Sequence, residues 1–247
     1  MTLSHMSRAP DERADIIERE LTEFSYIVSH DLAAPCRHLS HFSQLLLRDM
    51  GPKLTDSQRT YGSQIQAAGD RCQAMLEQLL QFSRVQTCQM NWATHDAASL
   101  ARTALLQLSR EVHEAHAEVS IAALGTVGGD GNLLTVMFKE LILNGVRFRD
   151  PGRPCRLRVF AEADCDRWVG CVADDGIGLA TDYHEKAFRM FWRLSADANG
   201  HGVGAGLAIC RRIVRRHGGE VQFRPSWTNG TCVEIVLPAT PAKVDGR

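Results

Sequence analysis

A chain of 247 residues that is 44% hydrophobic and 23% charged has the balance of an ordinary folded protein of one or two domains. A net charge of −1 gives no electrostatic basis for binding nucleic acid. No apolar run approaches the about 18 residues of a membrane span and the N-terminus has no signal-peptide core, so no membrane association and a cytoplasmic location are expected.

Residues 1–12 are polar and contain Pro10, and they read as a flexible lead-in. A long helix is predicted from about Asp11 to Met50, with Ile17, Leu21, Phe24, Val28, Leu32, Leu39, Phe42 and Leu46 forming an apolar stripe. His30 lies two residues from Val28 and Leu32, about 200° around the helix, so its imidazole is expected on the solvent side, where a nucleophile can be reached. Pro35 lacks an N–H and leaves the Asp31 carbonyl without its helical partner, which predicts a bend just past His30. Gly51-Pro52 stops the helix, and Thr55 or Asp56 is placed to cap the next.

In that second helix Tyr61, Ile65, Ala68, Cys72, Met75, Leu79 and Phe82 follow alternating steps of four and three, the period of a coiled-coil seam. Two such helices cannot bury both stripes alone, which predicts a homodimer forming a four-helix bundle; burial against the following domain is the weaker alternative. From about Gln86 an α+β pattern follows. A helix is expected at Leu100–Leu108 and strands at Ala117–Ala122, Arg156–Glu162 and Arg167–Ala173. A last hairpin joins Gln222–Arg224 to Thr231–Leu237 around Asn229-Gly230. Helices are predicted near Leu133–Phe148, Asp182–Phe191 and Leu207–His217. Cys36, Cys72, Cys88, Cys155, Cys165, Cys171, Cys210 and Cys232 include no C-x-x-C pair and read as unpaired thiols, and His113 with His116 reads as a solvated face.

Chemistry concentrates in three places of the second half. On the Leu133–Phe148 helix, Glu140, Asn144 and Arg147 share an arc away from the apolar one; hard oxygens beside a cation suit Mg²⁺ and phosphate, while a helix alone would read as having a solvated face here. Asp174-Asp175-Gly176-Ile177-Gly178 follows a strand, so glycines turn the chain closely while Asp174 presents an acceptor. Gly200-His201-Gly202-Val203-Gly204-Ala205-Gly206-Leu207 runs into a helix, and glycines at that density let backbone N–H groups approach phosphates at the positive helix N-terminus. The arginines of that helix, Arg211, Arg212, Arg215 and Arg216, read as its solvated face.

Ser29-His30-Asp31-Leu32-Ala33-Ala34-Pro35 resembles the H box of sensor histidine kinases, particularly the phytochrome-like branch. Glu140-x-x-x-Asn144 resembles their N box, Asp174-x-Gly176-x-Gly178 the G1 box, Phe188 with Phe191 the F box, and Gly202-x-Gly204-x-Gly206-Leu207 the G2 box, with Gly230-Thr231 at the final turn. The blocks occur in family order over roughly residues 20–238. The resemblance implies a long α-helical hairpin followed by an α+β sandwich of the Bergerat type that binds ATP. The corresponding division is a lead-in at 1–12, a dimerisation and phosphoacceptor hairpin at 13–88, an ATP-binding catalytic domain at 89–240 and a tail at 241–247.

The family's chemistry, carried onto these positions, makes His30 the nucleophile toward the γ-phosphate of ATP, with Asp31 orienting the ring or taking its proton. Asn144, aided by Glu140, is implied to ligate Mg²⁺. Asp174 is implied to accept from the adenine amino group, with Thr231 supporting it. The loop glycines are implied to form a lid over the phosphates, and Arg147 a phosphate contact. The implied partners are a second copy of the chain and the receiver domain of a response regulator, whose aspartate takes the phosphoryl group. Val203 stands where many relatives carry Thr or Ser, Gly145 replaces the usual Ala at a helix cost of about 1 kcal/mol, and Ala34 argues against phosphatase activity. Only about 20 residues precede the H box, too few for a folded sensor, so either a fragment of a longer kinase or an orphan driven by a separate sensory protein is expected. The competing readings are a phosphotransfer scaffold with a decayed ATP domain, and a serine kinase or anti-sigma factor sharing the ATP fold. The second would lack the histidine-bearing hairpin.

Overall fold

A computed structural model describes residues 31–164, 166–194, 202–227 and 229–238. His30, the stripe positions before Leu32, Gly200, Cys165 and residues 241–247 therefore lie outside the described residues. The chain divides into two compact units that meet between Thr87 and Cys88.

The first unit is a helical hairpin. Helix α1 covers residues 31–50 and continues through Pro35. A 3₁₀ turn at Gly51–Lys53 follows, and α2 runs Asp56–Thr87. The start of α2 is a reciprocal capping box: the Thr55 N–H donates to Gln58 Oε1 at 3.0 Å, and the Gln58 N–H to Thr55 Oγ1 at 3.3 Å. The helices approach closely at two glycines of α2. A Cβ on Gly62 would lie 2.5 Å from Leu47 Cδ2, and one on Gly69 2.5 Å from Ser40 Oγ. One heptad forward in α2 meets one heptad back in α1, as an antiparallel pair requires. This contact does not use the predicted seam: Leu32, Leu39, Phe42 and Leu46 of α1 are exposed in the single chain, as are Tyr61 and Ile65 of α2.

The second unit is one layer of helices on one layer of sheet. Strand β1 (Trp92–Asp96) pairs antiparallel with β3 (Thr126–Asp130) in a two-stranded ribbon. The main sheet has the order β2-β4-β5-β7-β6, from β2 (Glu118–Ile121), β4 (Arg156–Glu162), β5 (Arg167–Asp174), β6 (Glu220–Phe223) and β7 (Cys232–Pro238). Among the described residues only β2 and β4 pair in parallel. The helices are α3 (Ala97–Gln107), α4 (Ser109–Glu114), α5 (Gly131–Arg147), the single turn α6 (His184–Ala187) and α7 (Gly206–Arg216).

The core is built where α5 and α7 meet the sheet: Leu134, Phe138, Ile142, Ile209, Ile213, Leu157, Ile235 and Leu237 are essentially fully buried. Trp168 closes one end, its ring edge-on to Phe138 and its Nε1–H donated to the Leu124 carbonyl at 2.8 Å. Among the described residues no cysteine is in a disulfide, and no helix is long and apolar enough to cross a membrane.

Three expectations need correction. The helix predicted over Asp182–Phe191 is a 3₁₀ turn at Thr181–Tyr183 followed by α6, because the chain closes tight turns from Arg189 N–H to Lys186 O and from Trp192 N–H to Arg189 O, and Phe191 sits at φ 59°. The β1–β3 ribbon was not predicted; its second strand, Thr-Val-Gly-Gly-Asp, has too few side chains to show a period. The arginine face of α7 is not simply solvated: Arg211 forks onto Glu185 at 2.5 and 2.8 Å and covers the Phe188 ring at 4.1 Å, tying α6 to α7.

Candidate functional site

The site is organised around α5. Its start is fixed by Asp130, whose Oδ1 accepts the N–H groups of Asn132 and Leu133, each at 3.0 Å. Nearly every side of this helix is buried, and that includes Glu140, at 6% exposure. The alternative of a solvated helix face therefore does not hold for Glu140. Helix α7 and the glycine loop before it lie over that arc. A Cβ on Gly206 would be 2.7 Å from Glu140 Oε2, and one on Gly202 2.6 Å from Arg147 Nη1. Thus the carboxylate sits at the first residue of α7 and the guanidinium at the start of the loop, with half-buried Asn144 between them on α5. Burial holds the Arg147 guanidinium below its usual pKa, opposed by Glu140 and Glu111, and it remains a cation. Gly204 packs its Cα against the Trp192 carbonyl, while Val203 is buried and Leu207 half-buried.

A second group lies at the end of β5. Asp174 Oδ1 accepts the N–H groups of Gly176 (2.9 Å) and Thr231 (3.2 Å), and Oδ2 accepts the Thr231 hydroxyl at 2.5 Å. Burial pushes the Asp174 carboxyl above the ordinary carboxylate range, with these hydrogen bonds pulling it back. The backbone closes around it: Asp174 N–H donates to Thr231 O, and Ile177 N–H to Phe148 O at the end of α5. Gly230 is required here on two counts, since it adopts φ 79° and a Cβ would lie 2.2 Å from the Asp174 carbonyl oxygen. Gly178 packs on Gly230, and Gly176 on the Phe148 carbonyl. The two groups flank α5 and approach each other through Gly145, where a Cβ would be 3.4 Å from Asp174 Cβ and 2.5 Å from Leu157 Cδ2.

The structure therefore brings Glu140, Arg147, Gly202 and Gly206 together, and separately Asp174, Gly176, Gly178 and Thr231. Asp31 is an exposed helical residue of the other unit, and His30 lies outside the described residues. Gly145 is a packing position rather than only a weak point of its helix. Reading the sequence missed Asp130 and His217, although an Asp directly before an apolar-periodic run is a helix-start signal. Among the described residues no cluster of three His, Cys, Asp or Glu side chains is placed to hold a metal ion. The oxygens of Asn144 and Glu140 still suit Mg²⁺, which keeps several waters and shares its shell with phosphates.

Residues 20–88 match the model of the His Kinase A (phospho-acceptor) domain, and residues 129–241 that of the histidine kinase-, DNA gyrase B- and HSP90-like ATPase. The chain is 27% identical over 219 residues to the phytochrome-like protein Cph1 of Synechocystis sp., covering 89% of this chain and 29% of that protein. It is 29% identical over 220 residues to the methanogenesis regulatory histidine kinase FilI of Methanothrix harundinacea, covering 89% of this chain and 25% of that protein. Among solved structures it resembles full-length ShkA in complex with AMPPNP, with a TM-score of 0.64 and 26% identity over 89% of this chain and 46% of that one. The chain spans under a third of the length of these two curated relatives. A phosphoacceptor hairpin followed by this ATPase domain, in that order and with these relatives, places the chain in the sensor histidine kinase family, among kinases that include the phytochrome-like branch.

Proposed function

We propose that this chain is a Mg²⁺- and ATP-dependent kinase that phosphorylates its own His30 and passes the phosphoryl group to an aspartate of a response regulator. The observation that carries the reading is the convergence of Glu140 and Arg147 on the two ends of the glycine loop, beside the Asp174–Thr231 pair, in the domain that follows a phosphoacceptor hairpin. In this reading Asp174 accepts from the adenine amino group, and the Thr231 hydroxyl and two N–H groups hold its carboxylate in place. Gly202, Gly204 and Gly206 let backbone N–H groups approach the phosphates at the N-terminus of α7. Arg147 compensates phosphate charge at the far end of the loop. Asn144, with Glu140, would hold Mg²⁺, which when bound neutralises charge on the phosphates.

The neutral imidazole of His30 attacks the γ-phosphorus, the bond to the β-phosphate oxygen breaks and ADP leaves; Asp31 orients the ring or takes its proton. A phosphoryl transfer of this kind needs mainly positioning and charge compensation, and those are the features this site has. We also infer a homodimer, supported by the apolar side chains of Leu32, Leu39, Phe42, Leu46, Tyr61 and Ile65 left exposed on one hairpin, and a cytoplasmic setting. The test is incubation of purified protein with γ-labelled ATP and Mg²⁺, beside His30→Gln and Asn144→Ala. Acid-labile, base-stable label in the parent and in neither variant is expected; label that persists in His30→Gln would overturn the assignment.

A further inference from the structure

The far end of the nucleotide helices is tied to the first residues after α2. Helix α7 begins at the glycine loop and ends at Arg216, about 16 Å away for its 11 residues. At that end Arg216 donates from Nη2 to the Cys88 carbonyl at 2.8 Å and from Nη1 to Cys88 Sγ at 3.1 Å. Three residues later the Asn91 N–H donates to Asp130 Oδ2 at 2.8 Å. That aspartate is the same one that caps α5 through its Oδ1. Segment 88–91 is thus held at once by the last turn of α7 and by the first turn of α5.

Those two helix ends are also joined to each other, through His217. The Asp130 N–H donates to His217 Nε2 at 3.0 Å, so Nε2 carries the lone pair; Nδ1 then carries the proton and donates to the Ile213 carbonyl at 2.7 Å. One neutral tautomer satisfies both partners of this buried ring. Trp92, next after the segment, lies against it with ring centroids 5.4 Å apart. The Gly128-Gly129 pair of β3 makes the room: a Cβ on Gly129 would be 2.4 Å from His217 Cδ2, and one on Gly128 3.3 Å from Trp92 Nε1.

We infer that Arg216, His217 and Asp130 are positioning residues: they reference the segment that continues from α2 to both helices bearing the candidate nucleotide ligands. The placement of the glycine loop relative to Glu140 then follows the position of that segment. This rests on the kinase reading above.

The test uses the full chain with Arg216→Ala and Arg216→Lys, measured for autophosphorylation at saturating ATP, KM for ATP, melting temperature, and hydrogen exchange of the loop amides around 202–208. Arg216→Ala is expected to lower kcat about 10- to 100-fold, the scale of an ångström-level misplacement. KM and melting temperature should stay unchanged and the loop amides should exchange faster; Arg216→Lys should fall between. Unchanged kcat and unchanged loop exchange would overturn the inference. So would a fall in melting temperature with exchange rising throughout the domain, which is the mark of a purely structural bond. Should the parent chain bind nucleotide without labelling, the kinase reading fails, while the loop exchange still decides the clamp.

Discussion

Replacing Asp174 by Asn separates what the pocket needs for binding from what it needs for folding. The amide keeps the side-chain shape, its Oδ1 can still accept from Gly176 and Thr231 N–H, and the Thr231 hydroxyl can rotate to accept from the new NH₂. Because burial raises the folded-state pKa of Asp174, the carboxyl adds its full stability below its unfolded value, and this is lost as pH rises through the folded value. At neutral pH the charge is therefore a cost that Asn removes, and the melting temperature should hold or rise. Binding behaves in the opposite way. An adenine amino group would lose a hydrogen bond to a charged acceptor and face a donor in a half-buried pocket, together about 2–4 kcal/mol, or about 30- to 1,000-fold in Kd. Calorimetric titration with an ATP analogue and a thermal melt at pH 7.5 on the same sample measure both quantities. A Kd within threefold of the parent, with an unchanged melt, would refute the role given to Asp174. A large loss of stability would refute the account of its cage.

Gly145→Ala should gain about 1 kcal/mol of helix propensity and lose about 1–3 kcal/mol to overpacking against Leu157, so denaturant titration should show net destabilisation; Leu157→Ala in the same chain should relieve the overpacking term, with a favourable coupling of about 1 kcal/mol in the double-mutant cycle. The folded-state pKa of His217 is lowered by burial, so stability is full above its unfolded value near 6.5 and is lost as pH falls through the folded value. Melts between pH 7.5 and 5 should show that loss, and His217→Gln, whose Oε1 can accept from Asp130 N–H, should flatten it. Phe42→Asp places a charge on the exposed stripe of α1; sedimentation should show a dimer for the parent and a monomer for the variant, with the melt of the second unit unchanged. Thr55→Ala removes one side of the capping box and should cost about 1 kcal/mol of hairpin stability in denaturant titration.

The elements with a long, regular period were legible in the sequence, and the strands β4 and β5 nearly to the residue, because one-sided burial writes itself into spacing. The site residues on α5 were legible as a cluster by their spacing but not in their environment. A single helix shows only which residues share an arc, so the burial of Glu140 could not be read: it comes from α7, some seventy residues further on. Gly145 looked like a propensity defect for the same reason; the side chain that fills its space, Leu157, arrives from β4. The β1–β3 ribbon and the His217–Asp130 bond were not legible, since both depend on partners far apart in sequence and on glycines that carry no period. A cap at Thr55 or Asp56 was readable because it is completed within a single turn; that Gln58 answers Thr55 reciprocally came only with the structure.

The account turns on which atom receives the phosphoryl group. Mass-spectrometric mapping of the parent chain after incubation with ATP and Mg²⁺, with digestion and fragmentation kept at neutral to alkaline pH, identifies that residue. The account predicts one modified position, His30, absent when Asn144 is replaced by Ala. Phosphate found on a serine, threonine or other histidine, with His30 unmodified, would contradict it.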